Sequence, residues 1–152
     1  GYGASCDAYH ITAPAPDPRY AAYAIREASS DLDADASRLY VNAHGTGPAM
    51  NDVCETAAFK AAFGEAAHKL HISSTKSMTG HMLGAAGAVE AIACVLALAR
   101  QTVPPTVNLL TPDEKCDLDY TPLHAVETPL DGAISTSLGF GGHNACVAFR
   151  KL

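Results

Sequence analysis

Ser73-Ser74-Thr75-Lys76-Ser77-Met78-Thr79-Gly80-His81, continued by Met82 to Arg100, is the stretch on which the fold turns. Its first part is polar, closed by a glycine, and carries a lysine and a histidine. Its second part is almost wholly apolar and long enough for several helical turns. A short strand that empties into a polar turn, which then enters a buried helix, is the unit on which α/β proteins place ligands: strand carboxyl ends and helix amino ends meet there. A second segment of the same design lies upstream, Val41-Asn42-Ala43-His44-Gly45-Thr46-Gly47. Two histidines, each just past a short strand and just before a helix, predict one site built from two loops.

Working outward, Asp17-Pro18 reads as a helix start, with Asp as N-cap and Pro at the first helical position. Tyr20, Ala21, Ala24, Ile25 and Ala28 recur at helical spacing, predicting an amphipathic helix over 18–29. Residues 1–9 read as the end of a strand running into a loop. The run 38–43 predicts a strand and 44–48 a turn. Asn51 is expected to cap a second helix, with Asp52 and Glu55 suited to its first turn. Val53, Cys54, Ala57, Ala58, Ala61 and Ala62 form its expected buried face, and Phe63-Gly64 its end. A strand over 71–74 leads into the opening motif, and a helix over about 81–100 follows. Residues 102–132, rich in proline and aspartate, predict short strands and turns wrapping a surface. Two strands, 133–138 and 145–149, close the chain as an antiparallel hairpin joined by Gly139-Phe140-Gly141-Gly142-His143-Asn144. Helices between strands imply parallel crossovers, so the expected class is α/β, a mixed sheet with helices on its faces.

The chain has 152 residues, enough for one domain with a real core. Charged residues make up 17%, below the usual quarter, which points to extensive buried surface. A net charge of −6 argues against a nucleic-acid partner. Five cysteines with no CxxC pair read neither as a disulfide framework nor as a metal site, and a reducing cytoplasm is the expected setting. The opening residues have no signal-peptide pattern and no initiator methionine, as if cut from something longer. Met82–Ala99 has the length of a membrane span, but Glu90 at its centre argues for a buried soluble helix and no membrane.

A neutral imidazole donates one hydrogen bond and accepts another. Two imidazoles converging on one oxygen would stabilise an enolate or oxyanion. Lys76 can orient its loop or tune the imidazoles. Glu90, inside an apolar helix, needs a partner, and Lys76 is the candidate. From residue types and spacing alone the reading stops at a two-loop histidine site suited to carbonyl chemistry.

Val41–Gly47 resembles the NAHGT segment of β-ketoacyl-acyl carrier protein synthases. Ser73–His81 with Leu83–Glu90 is similar to their SSTKSMTGHxLGAAGAVE segment. Pro104–Leu109 and Pro112–Asp119 resemble their PPTxNL and PDExCDLD runs, Gly139–Asn144 the closing GFGG(T/H)N, and Ser5–Thr12 the SxDAYHxT segment. The likeness is closest to type II elongating synthases of bacterial fatty-acid synthesis and runs end to end. It implies a thiolase-like fold of two pseudo-symmetric α/β halves, with residues 1–152 forming the C-terminal half. The nucleophilic cysteine of the family belongs to the other half; Cys6, Cys54, Cys94, Cys116 and Cys146 match no such turn, so these residues alone should be inactive. The resemblance implies decarboxylative Claisen condensation of an acyl-enzyme thioester with malonyl-acyl carrier protein. In that scheme the catalytic set is His44, His81, Lys76 and Glu90, with the two histidines holding the thioester oxygen and Lys76 paired to Glu90. Thr46 would bind pantetheine, Phe140 would gate the acyl pocket, and Gly139 and Gly141 would flank it. No metal or redox cofactor is implied, and the partners are the acyl carrier protein, the other half of the chain and a second copy as a homodimer. Pro48 departs from the family, standing where most members carry a second pantetheine-binding threonine; Leu138 is a milder departure. The alternative is a non-catalytic subunit like the chain-length factors that pair with polyketide synthases.

Overall fold

The computed structural model describes residues 1–151, Ala49 by its backbone only. Leu152, the last residue of the expected 1–152 domain, lies outside the described residues. A five-stranded mixed sheet has the order β1-β7-β6-β2-β3, formed by β1 (Tyr2–Cys6), β2 (Leu39–Asn42), β3 (His71–Ser73), β6 (Gly132–Gly139) and β7 (His143–Arg150). β2 runs parallel to β3 on one side and to β6 on the other; β6 and β7 form the expected antiparallel hairpin, and β1 adds to β7 antiparallel. The expected class, a mixed sheet with helices on its faces, is what the chain forms.

Strand alternation assigns the two faces. Val41, Ile134 and Ala148 sit in register, and all belong to the core beneath the helices α1 (Arg19–Ser29) and α2 (Ala49–Phe63). One residue back, Tyr40, Ala133 and Phe149 are in register and pack with Cys94, Ala97 and Leu98 of α4 (Ala86–Arg100) on the opposite face. Full burial of each large apolar side chain in these layers contributes about 1.5–3 kcal/mol. The region 102–132 holds a small two-stranded sheet, β4 (Thr102–Val103) with β5 (Val126–Glu127), and otherwise turns, as its composition predicted.

Four details differ from expectation. Pro18 occupies the N-cap of α1, and Asp17 acts from one residue earlier, its carboxylate accepting the Arg19 N–H at 3.0 Å. Pro48, extended and without an N–H to lose, is the N-cap of α2, so that helix begins two residues before Asn51. The buried face of α2 is Glu55, Thr56, Ala58 and Phe59, whereas Ala61 is exposed; with two polar residues on the buried side and alanine on the exposed one, apolar periodicity does not fix which side faces in. The helix expected over about 81–100 starts later, as a one-turn 3-10 segment at Leu83–Ala85 that leads into α4, and an unexpected short helix, α3 (Lys76–Thr79), precedes it. Leu83 holds a left-handed backbone angle, φ +51°, which interrupts the helical path.

Leu83–Arg100 is long and apolar enough to cross a membrane by length and composition. In the fold, one side of α4 packs on the sheet and buries Glu90, while Ile92 (58% exposed), Val95 and Leu96 face outward. The expectation of a wholly buried helix is therefore met on one side only.

Candidate active site

Both histidine loops leave the carboxyl ends of neighbouring parallel strands. The pairing of β2 with β3 extends one residue further, Ala43 N donating to Ser73 O at 2.8 Å. The Asn42 carboxamide donates to Thr75 Oγ1 at 3.0 Å and accepts the Thr75 N–H at 3.3 Å. These ties hold the two loop roots together. Past them, the rings of His44 and His81 lie edge to face, centroids 5.5 Å apart and planes at 88°. Both rings border one cavity of about 780 Å³, together with Thr46, Pro48, Met50, Gly139 and Phe140.

Each imidazole is oriented by local structure. His81 Nδ1 accepts the Leu83 N–H at 3.2 Å, which puts its proton on Nε2 and makes that nitrogen a donor. His44 is buried, and its Nδ1 has no hydrogen-bond partner among the described residues. Burial, then the Lys76 charge, then His81 push the His44 pKa from its ordinary 6.5 down to about 4. His44 is thus neutral near pH 7 and can donate a hydrogen bond to a developing oxyanion without first losing a proton.

Lys76 and Glu90 are ion-paired in the interior, Nζ to Oε1, as the sequence suggested. Glu90 Oε2 has no partner among the described residues. Neither group borders the 780 Å³ cavity; Lys76 borders a second cavity of about 600 Å³, walled also by residues 106–116, and His81 and Thr46 border both. Lys76 thus shares a cavity with His81, and its charge reaches His44. Phe140 stands at the tip of the β6–β7 hairpin, 76% exposed, and Gly139 beside it also borders the histidine cavity. Gly141, expected at the site with them, does not border it; Gly142 does. The Gly141 N–H is turned away to Ile11 O at 2.8 Å. At Gly142 a Cβ would come within 2.2 Å of Asp7 Oδ1, so only glycine fits where the hairpin tip locks against the Asp7–Pro14 segment, another wall of the cavity.

The sequence reading missed the residue that holds the His44 loop. Glu55 is buried; its Oε1 accepts the His44 N–H at 2.8 Å and the Thr136 hydroxyl at 2.6 Å, and its Oε2 accepts the Gly45 N–H at 2.9 Å. Burial raises its pKa, opposed by these three hydrogen bonds. A carboxylate three and four residues before Ala58 and Phe59, on the apolar face of a helix, was the signal available.

Residues 1–110 match the family model described as the beta-ketoacyl synthase, C-terminal domain. Over 152 residues, 99% of the chain, it is 53% identical to the 3-oxoacyl-[acyl-carrier-protein] synthase 2 of Synechocystis sp. and 49% identical to that of Staphylococcus aureus. It spans 36% and 37% of those two proteins, a little over a third of their length. Among solved structures it superposes over its full length, and on 38% of the other chain, with the ketosynthase complex described as a type II PKS acyl-carrier protein with its ketosynthase bound to the hexaketide (TM-score 0.93, 40% identity). It also superposes on 37% of a chain of the ishigamide ketosynthase/chain length factor (TM-score 0.91, 38%) and on 36% of a beta-ketoacyl synthase from Burkholderia phymatum (TM-score 0.89, 37%). The two-loop histidine site and the thiolase-like architecture around it thus place this chain in the β-ketoacyl synthase family, within its C-terminal domain.

Proposed function

We propose that this chain is the C-terminal part of an elongating β-ketoacyl-acyl carrier protein synthase that extends fatty acids by two carbons. The acyl chain is held as a thioester on a cysteine supplied by the remainder of the protein. Malonyl-acyl carrier protein enters and loses CO₂, and the enolate carbon attacks the acyl carbonyl, expelling the cysteine thiolate. As CO₂ leaves, negative charge builds on the malonyl thioester oxygen, where the neutral imidazoles of His44 and His81 donate hydrogen bonds. Thr46 binds the pantetheine arm, and Phe140 gates the cavity. Burial, aided by the charge of Lys76 that Glu90 holds in place, keeps His44 neutral. Because the transferred groups arrive on the carrier's phosphopantetheine and the oxyanion is met by imidazole donors, the reaction asks for no metal or redox cofactor. The remainder of the protein covers the outward apolar side of α4, and the whole acts as a cytoplasmic homodimer.

The observation that carries this reading is the pair of rings 5.5 Å apart on one cavity, with His44 buried and neutral. The test is malonyl-acyl carrier protein decarboxylation by the full-length protein. His44→Ala and His81→Ala are each expected to slow CO₂ release by about 10²–10³-fold. Unchanged release in both variants refutes the assignment.

A non-catalytic subunit of the chain-length-factor kind is the second reading. Pro48, which offers neither hydroxyl nor N–H to pantetheine, favours it; the retained His44, Lys76 and His81 favour the enzyme. The residue at the nucleophile turn of the full-length protein decides between them.

A further inference from the structure

Gly45 lies directly after His44, and its backbone is gripped on both sides of its Cα. Its N–H is held by Glu55 Oε2 at 2.9 Å, which fastens the loop to α2. Its C=O, in the next peptide unit, accepts the Ser74 hydroxyl at 3.1 Å, which fastens the same residue to the root of the His81 loop. Ser74 is buried and all its polar groups are engaged: its N–H donates to Thr106 Oγ1 at 3.1 Å, and its C=O accepts the Ser77 hydroxyl at 2.8 Å. Thr106 is fixed in turn, its hydroxyl donating to Tyr120 O at 2.8 Å. The approach leaves no slack. Gly45 has φ +41°, and a Cβ there would lie 2.6 Å from Ser74 Cβ and 2.8 Å from Ser74 Oγ. The strand-end ties at Asn42 and Ala43 lie before His44, whereas the Ser74–Gly45 contact lies beyond it.

We infer that Ser74 is a positioning residue that sets the distance between the His44 and His81 loops, bridging to Gly45 while Thr106 fixes Ser74 itself. Its consequence for turnover rests on the proposed function; its consequence for loop spacing does not.

The test uses the full-length protein. Ser74→Ala is expected to lower kcat for malonyl decarboxylation about 5–20-fold, with KM within about twofold, since substrate contacts stay while the donors are misplaced. The His44 imidazole, followed by NMR titration, should move its midpoint upward in Ser74→Ala, as the slackened loop admits water and draws away from Lys76 and His81. Gly45→Ala is expected to slow turnover about 100-fold. Ser74→Gly added to it removes the clashing atoms and should recover at least about fivefold. An unmoved His44 midpoint in Ser74→Ala overturns the inference, including the case in which activity falls only in step with the melting temperature. A double variant no faster than Gly45→Ala overturns it as well. If the wild-type protein releases no CO₂ the proposed function fails, and the midpoint comparison still decides the role of Ser74.

Discussion

Replacing Glu55 separates what a buried carboxylate does for stability from what it does for the site. Three donors depend on it: the N–H groups of His44 and Gly45 and the Thr136 hydroxyl. In Glu55→Ala, Thr136 can redirect its proton to Asn42 O, already 3.5 Å away, and His44 N–H keeps Thr136 Oγ1 at 3.2 Å. The Gly45 N–H loses its partner outright. An unpartnered, part-buried donor costs about 1 kcal/mol, and the space left by the buried Glu55 side chain adds to this, so a total of about 2–4 kcal/mol is expected. Glu55→Gln keeps one carbonyl oxygen for His44 and Thr136 but points an amide N–H at the Gly45 N–H, for a cost of about 1–2 kcal/mol. The order wild type, Gln, Ala should appear in urea midpoints of the full-length protein at constant m-value, and in malonyl decarboxylation as the His44 loop loosens. A Gln variant as unstable as Ala, or an Ala variant within about 0.5 kcal/mol of wild type, would show that Glu55 does not anchor this loop.

Acid should destabilise the fold through His44. Its pKa falls from 6.5 to about 4 on folding, so the folded state binds fewer protons between those values; the contribution is complete above pH 6.5 and disappears as pH drops to 4. The difference amounts to about 3 kcal/mol; unfolding free energy measured against pH should fall more steeply for wild type than for His44→Asn, and parallel curves refute the shift. Glu90→Gln or Lys76→Met alone leaves a buried charge uncompensated and should cost about 3–5 kcal/mol. Lys76→Met combined with Glu90→Leu should recover much of that in thermal melts, and a double variant as unstable as the sum of the singles would contradict it. Ile92→Ser should change the stability of the isolated 152-residue chain by less than about 0.5 kcal/mol, because the side chain is largely exposed there. In the full-length protein, where the rest of the chain covers α4, it should cost about 2–4 kcal/mol; equal effects in both would mean that nothing covers that face.

Element types were legible in the sequence, because strands such as 133–138 and helices such as 18–29 announce themselves by period and by flanking turn residues. The two histidine loops were legible as one site for the same reason: each follows a strand and precedes a helix. What was hidden depends on the third dimension. The face of α2 could not be fixed, since it buries Glu55 and Thr56 and exposes Ala61, the reverse of what polarity suggests, and with the face went the role of Glu55. The break at Leu83 rests on a left-handed residue that no propensity favours. The open side of α4 has the same composition as its buried side, and only packing tells them apart. Gly141 and Gly142 are neighbours in a glycine turn, and which of them borders the cavity is decided by the lock on Asp7.

The placing of β1 against β7 has a kinetic consequence. Its partners lie about as far away in sequence as the chain permits, Tyr2 beside Val147 and Cys6 beside His143. β2, likewise, waits for β6 from the same late region before it has a neighbour on that side. Within this sheet β1 leaves the ribosome before the other four strands and its partner β7 after them, so vectorial emergence gives this sheet no head start. Closing such long loops is slow, and the early segments, with an unpaired strand edge, are the ones a chaperone would meet.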